Sequence, residues 1–248
     1  MPIKPTVSVV TNSGELAAAA ADAVIHAARE AIEARGRFTV ALSGGSTPEK
    51  AYELLAQPPR VAQLDWSRVH IFFGDERFVP LDDPRSNYGM AARTLLAHVP
   101  IPPSQILAVP THMASASAAA QAYCNIVANY FSLSPADPPP KLDLILLGLG
   151  DDGHTASLFP GKPALDERRA WFTHSSPGVL PPPVERITAT FPLLNSGRLV
   201  IFLVGGEKKK EIVHAVLADQ SQKYPASRIA PDTGKVIWLL DAAANGPV

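Results

Sequence analysis

The residues best suited to chemistry stand at the ends of apolar runs. "LDLILLGLG" leads directly into "DDGHTASLFPG" (151–161), which sets His154 among Gly148, Gly150 and Gly153 on permissive backbone. An imidazole titrates near neutrality, so His154 is a candidate general acid or base. The bland alternative is a polar turn closing a strand. "FFGDER" (72–77) ends a second apolar run in Asp75, Glu76 and Arg77. Arg77 suits a bidentate grip on phosphate and Asp75 suits orienting a catalytic partner; a solvated edge with an internal ion pair competes with that reading. Asn87 of "SNYG" offers a neutral group for sugar hydroxyls, or with Ser86 merely caps a helix.

Two further stretches point to an anion. In "LSGGSTP" (42–48), Gly44 and Gly45 allow close backbone approach and Ser46 and Thr47 add hydroxyl donors. The free N–H groups of a helix starting near Pro48 would face the same way. A plain strand-to-helix turn is the competing reading. The pattern is neither a nucleotide P-loop nor a dinucleotide fingerprint, and Pro48 stands where a nucleophile elbow needs glycine. "GGEKKKEI" (205–212) opens a helix with three lysines against its dipole, a placement that one lysine reaching an anion would explain.

Composition bounds these options. The 248 residues are 46% hydrophobic and 18% charged with formal net charge −1, which describes a soluble globular protein long enough for a large core, in one big α/β domain or two small ones. No basic excess is available for a nucleic-acid backbone, whereas a small anion needs only a few local cations. Cys124 is the only cysteine, so no intramolecular disulfide or cysteine-based zinc site is expected, and no metal-ligand spacing is present. The segment "MPIKPTVSVV" lacks a signal-peptide apolar core and no run reaches membrane-spanning length, so a cytoplasmic protein without membrane partners is expected. Histidines 26, 70, 98, 112, 174 and 214 lack clustered partners and read as ordinary residues.

Positioning these groups requires alternating strands and helices. Strands are predicted at 6–10, at "RFTVALSGG", across "RVHIFFGDER", at "LDLILLGLG", across "RITATFPLL", at "RLVIFLVGG" and at "KVIWLLD". Helices are predicted over 12–36, with Asn12 as cap and Gly36 as exit, and at "PEKAYELLA", "SNYGMAARTLLAHV", 115–132 and "EKKKEIVHAVLA". The proline-rich stretches 135–140 and 177–183 read as stiff loops within one domain spanning 1–248. Nearly continuous Val, Ile, Leu and Phe strands between helices predict a mainly parallel sheet covered on both faces, with ligands beyond the carboxyl ends of the strands.

Taken in order, "ALSGGSTP", "GDER.VP" followed by "SNY", and "GLG.DGHTASLFPG" resemble the motifs of the bacterial-type 6-phosphogluconolactonase family; "ERITATFPLLN", "GGEKK" and "GKVIWLLDAAA" extend the likeness over nearly the whole chain. The resemblance implies an α/β/α three-layer fold shared with glucosamine-6-phosphate deaminase and ribose-5-phosphate isomerase. It implies hydrolysis of 6-phospho-D-glucono-1,5-lactone without cofactor or metal, by a monomer or small homo-oligomer. His154 would be the base, Asp75 its partner, and Arg77 with Ser43, Gly44, Gly45, Ser46 and Thr47 the phosphate site. The family lysine falls on Lys209, within the Lys208–Lys210 run, and Arg186 of "VERIT" matches a recurrent arginine. "DGH" also resembles the deaminase, but "TASLFPG" follows it here where that family has Asn-Glu-Pro. The remaining alternatives are a deaminase-like isomerase, a serine hydrolase using Ser46, Asp75 and His154 in that order, and a non-catalytic sugar-phosphate sensor.

Overall fold

The apolar runs become the strands of a parallel sheet. In the computed structural model, which describes residues 5–178, 183–219 and 221–247, the chain order begins β1 (Thr6–Val10), α1 (Ser13–Arg35), β2 (Phe38–Leu42), α2 (Ser46–Leu55), β3 (Val69–Phe73), β4 (Asp75–Arg77), α3 (Asn87–Ala91) and α4 (Ala116–Phe131). It continues with β5 (Leu144–Leu147), β6 (Phe172–Ser175), β7 (Arg186–Ala189), α5 (Phe191–Leu194), β8 (Leu199–Val204), α6 (Lys210–Ala218), β9 (Lys235–Asp241) and α7 (Ala242–Asn245). Part of the 177–183 stretch, namely 179–182, and residues 1–4 of the segment read for a signal peptide lie outside the described residues.

Strands order as β1-β9-β8-β5-β2-β3, every neighbouring pair parallel. Every residue of β2 and β5 is buried, which is why these strands read as unbroken apolar runs rather than alternating ones. Helices flank the sheet and share one buried cluster with it, reaching from Leu16 to Ala244. The ends of α1 follow local chemistry: Asn12 Oδ1 accepts from the N–H groups of Gly14 and Glu15, and Gly36 leaves the helix at φ +74°. Cys124 is a buried core residue of α4. Among the described residues no helix is long and apolar enough to cross a membrane.

Three local expectations change. "RVHIFFGDER" is not one strand, because it breaks at Gly74. The N–H of Gly74 donates to Leu42 O (2.9 Å) in the parallel sheet, and its carbonyl accepts from Ala189 N (2.7 Å) in a second sheet. That second sheet, β4-β7-β6, is antiparallel, and β6 has no counterpart among the predicted strands. "RITATFPLL" strands only through Ala189 and then turns into α5, with Pro192 in its first turn where a missing N–H costs nothing. Finally, the helix predicted from "SNYGMAARTLLAHV" is α3 continued by a π-helical turn at Ala92–Leu96.

Candidate active site

A cavity of about 330 Å³ opens beyond the carboxyl ends of β2, β5 and β8, with β4 and β7 along its side. All eleven candidate residues line it: Ser43, Gly44, Gly45, Ser46, Thr47, Asp75, Arg77, Asn87, His154, Arg186 and Lys209. Parallel strands place such residues together because each strand ends on the same edge of the sheet.

His154 follows β5 on a tight turn. Gly153 adopts φ +78° there, and Gly150 N donates to His154 O at 2.8 Å. Asp152, two residues upstream, holds the histidine twice. Its Oδ1 accepts from the backbone N–H of His154 (3.1 Å) and lies 2.5 Å from Nδ1 of the ring. A proton on Nδ1 satisfies that contact and leaves Nε2 as the basic nitrogen. Burial raises the Asp152 carboxyl, but the hydrogen bond and charge of His154 outweigh burial and hold it below the usual carboxylate range.

The partner expected for His154, Asp75, is occupied elsewhere. Its Oδ2 accepts from Ser157 Oγ at 2.6 Å and its Oδ1 from Asn87 Nδ2 at 3.1 Å. Asp75 therefore shares the cavity with His154 but is not its hydrogen-bond partner; Asp152 is. Ser46 makes no hydrogen bond to His154 among the described residues, so the geometry lacks the base contact a serine nucleophile needs.

Charge of the opposite sign gathers on the second sheet. Strand alternation turns Asp75 and Arg77 toward the cavity and Glu76 away from it. Glu76, fully buried, accepts four hydrogen bonds: from the N–H groups of Arg77 (2.7 Å), Asn87 (2.7 Å) and Tyr88 (2.8 Å), and from Ser86 Oγ (3.0 Å). Burial pushes this carboxyl up while those donors pull it back. Arg77 and Arg186 are direct cross-strand partners of β4 and β7 and both line the cavity. Like charges opposite each other in a sheet repel, so the pairing favours an anion between them. The Arg186 guanidinium sits below its usual value, first through burial and then through Arg77, with Asp75 and Glu76 opposing.

The remaining wall is built for hydrogen bonding. α2 starts at Ser46 with no side-chain cap, leaving its first N–H groups to the cavity. Lys209 Nζ donates to Leu149 O (2.7 Å) and pairs with Asp151 Oδ1 (2.5 Å); Lys208 and Lys210 are not part of the lining. Ser43 Oγ, Arg77 Nε and Asn87 Oδ1 are buried without a hydrogen-bond partner among the described residues. Unsatisfied buried polar atoms cost about 1–3 kcal/mol each, and three of them around one cavity mark where a polar ligand belongs. Among the described residues no group of three or more His, Cys, Asp or Glu side chains is disposed to hold a metal ion.

Sequence reasoning missed Asp152, Ser157 and Phe159. The Phe159 ring lies 4.5 Å from that of His154 and is covered by the Arg186 guanidinium at 5.7 Å. Asp152 had a visible signal: an Asp two residues before another residue accepts that residue's N–H in a local turn, which here also delivers the carboxylate to the ring. Ser157 and Phe159 carried no such signal, since only the folded turn brings them in.

Residues 11–238 match the family described as glucosamine-6-phosphate isomerases/6-phosphogluconolactonase. A 6-phosphogluconolactonase of Synechocystis is 43% identical over 243 residues, covering 97% of both chains. The solved 6-phosphogluconolactonase of Trypanosoma cruzi superposes with a TM-score of 0.88 at 30% identity, covering 98% of this chain and 97% of that one. A monomeric glucosamine-6-phosphate deaminase shares the fold, with a TM-score of 0.79 at 20% identity over 96% of this chain and 98% of its own.

Proposed function

The chain belongs to the family of glucosamine-6-phosphate isomerases and 6-phosphogluconolactonases, and we infer that its reaction is hydrolysis of 6-phospho-D-glucono-1,5-lactone to 6-phospho-D-gluconate. This is the lactonase step of the oxidative pentose phosphate pathway, which we assign here to the cytoplasm. The observation that carries the mechanism is His154, held by Asp152, lining the same cavity as the Arg77–Arg186 pair. One supplies a base and the other binds an anion.

In the proposed reaction, Nε2 of His154 takes a proton from water as its oxygen attacks C1 of the lactone. Asp152 holds the other ring nitrogen and stabilises the imidazolium that forms. The C1 oxyanion then collapses, the bond to the ring oxygen breaks, and the imidazolium returns its proton to that oxygen. A lactone is an activated ester, so one imidazole and positioned donors are enough. Arg77, Arg186, Lys209 and the loop of Ser43, Gly44, Gly45, Ser46 and Thr47 hold the phosphate. Asp75, fixed by Ser157 and Asn87, is left to receive sugar hydroxyls.

The test is proton release from freshly made phosphogluconolactone, measured against its spontaneous hydrolysis. Wild type should accelerate it strongly and His154→Ala should not. Glucosamine 6-phosphate should yield no ammonia. Binding of phosphogluconate without lactone turnover would make the protein a sensor and overturn the reading.

A further inference from the structure

A second cavity, of about 310 Å³, lies at the other end of the parallel sheet. Arg37, Asp143 and Arg198 immediately precede β2, β5 and β8, which are neighbours in the sheet, so all three start on one edge. The lining carries Arg35, Arg37, Lys141 and Arg198 against a single carboxylate, Asp143. Four cations against one anion leave three positive charges on a chain whose formal net charge is −1.

The carboxylate is already committed. Asp143 is 7% exposed; its Oδ2 accepts from Thr39 N (2.9 Å) and Thr39 Oγ1 (2.8 Å), and its Oδ1 from Arg35 Nε (2.8 Å). Arg198 Nε stands further off at 3.5 Å. Arg37 has no carboxylate partner among the described residues and is fixed over aromatic rings, 5.0 Å from Tyr130 and 5.4 Å from Phe131. Its charge reaches His70, whose imidazole is held below its ordinary value first by burial and then by Arg37. Lys141 Nζ donates to Thr233 Oγ1 at 3.2 Å, a neutral partner. The one carboxylate of the lining is buried and pairs with Arg35 and, at longer range, Arg198, which leaves Arg37 and Lys141 with no carboxylate partner among the described residues.

We propose that this cavity binds a small molecule carrying a diphosphate group, at a site separate from the reaction cavity. Arg37, Lys141 and Arg198 stand on three different segments around one concavity, so an anion with two linked charged centres meets more of them than a lone carboxylate does. Guanidinium forks fit phosphate oxygens in pairs, and Phe131 offers an apolar wall beside them.

The experiment is calorimetric titration of the full chain with inorganic pyrophosphate and, separately, with Mg²⁺-free ADP. Saturating 6-phosphogluconate is present throughout to occupy the reaction cavity. One equivalent of each probe should bind, more weakly as salt rises. The double variant Arg37→Gln/Arg198→Gln should bind at least about tenfold more weakly while hydrolysing lactone at the wild-type rate. Lys209→Ala, which alters the reaction cavity, should leave pyrophosphate binding intact. Tighter binding of ADP than of pyrophosphate would identify a nucleoside against Phe131, and equal binding would identify the diphosphate alone. No binding of either probe, or binding unchanged in a double variant whose melting temperature is that of wild type, overturns the proposal.

Discussion

The imidazole of His154 rests directly on the backbone of Gly150. A Cβ built on that glycine would stand 2.0 Å from Nδ1 and 2.1 Å from Cε1, closer than any real contact permits. The ring can keep its hydrogen bond to Asp152 only while residue 150 carries no side chain.

Gly150→Ala should therefore act on catalysis more than on folding. Gly150 is not among the glycines with positive φ, so alanine meets no left-handed backbone strain there and the ring is what must move. Displacing a reacting group by about 1 Å costs on the order of 10²-fold in rate. Steady-state kcat and thermal melting, measured together, check this. An unchanged kcat would mean that the ring geometry does not matter.

His154→Ala removes the proposed proton acceptor and leaves the proposed anion-binding wall in place. General-base catalysis is typically worth about 10²–10⁴-fold, and kcat should fall within that range. Affinity for phosphogluconate should barely move. A variant with near wild-type kcat would remove His154 from the chemistry.

The two aspartates separate by pH. Asp152 is held below the usual carboxylate range by His154, so it stays ionised wherever an imidazole titrates. An anion beside an imidazole favours the protonated, inactive form. Asp152→Asn should thus shift the acid limb of the pH–rate profile to lower pH while lowering kcat. Asp75→Asn should slow the reaction and leave that limb unmoved, because its carboxylate contacts Ser157 and Asn87 instead. The reverse pattern would restore Asp75 as the partner of His154.

Loss of Arg77 should be felt at the phosphate. Charge-assisted hydrogen bonds are worth roughly 1.5–3 kcal/mol, so Arg77→Ala should lose about ten- to a hundredfold in kcat/KM. Arg77→Lys should recover only part, lacking the bidentate fork. Wild type should strongly prefer the phosphorylated lactone over glucono-1,5-lactone, and Arg77→Ala should lose most of that preference. Equal preference in both proteins would take Arg77 out of the phosphate site.

Glu76 is a stability residue with a catalytic consequence. Glu76→Gln replaces an acceptor-only carboxylate by an amide whose NH₂ must face one pair of N–H and O–H donors. Leaving those donors unsatisfied should cost roughly 2–3 kcal/mol in denaturant unfolding. KM should rise as well, since the accepting carboxylate of Glu76 fixes the backbone of Arg77 and Asn87. Wild-type stability in this variant would show the network to be dispensable.

Much of the parallel sheet was legible because burial on both faces writes itself as uninterrupted Val, Ile, Leu and Phe, as in Leu144–Leu147 and Leu199–Val204. The antiparallel sheet was legible only in part: β4 and β7 fall within the strands predicted at "RVHIFFGDER" and "RITATFPLL", but β6 and the separate sheet they form were not foreseen, because β4 and β6 are mostly polar. Asp75-Glu76-Arg77 and Phe172-Thr173-His174-Ser175 have no apolar face to announce them. The pairing of β4 with β7 is a long-range event, between residues about a hundred positions apart in the chain, whereas β6 pairs with β7 across 11 to 17 positions. The candidate residues were legible as types at strand ends. Which carboxylate touches His154 was not, because that depends on a turn closing within three residues.

The alternation along β4 imposes a parity rule on this part of the chain. Asp75 and Arg77 face the cavity while Glu76, between them, faces the start of α3. A register shift of one residue exchanges the faces of a strand. An insertion or deletion of one residue between Gly74 and Arg77 would therefore send the buried anchor into the cavity and the cavity carboxylate into the core, with composition almost unchanged. Length variation in working relatives should be absent from this segment and confined to its flanks, or come in steps of two.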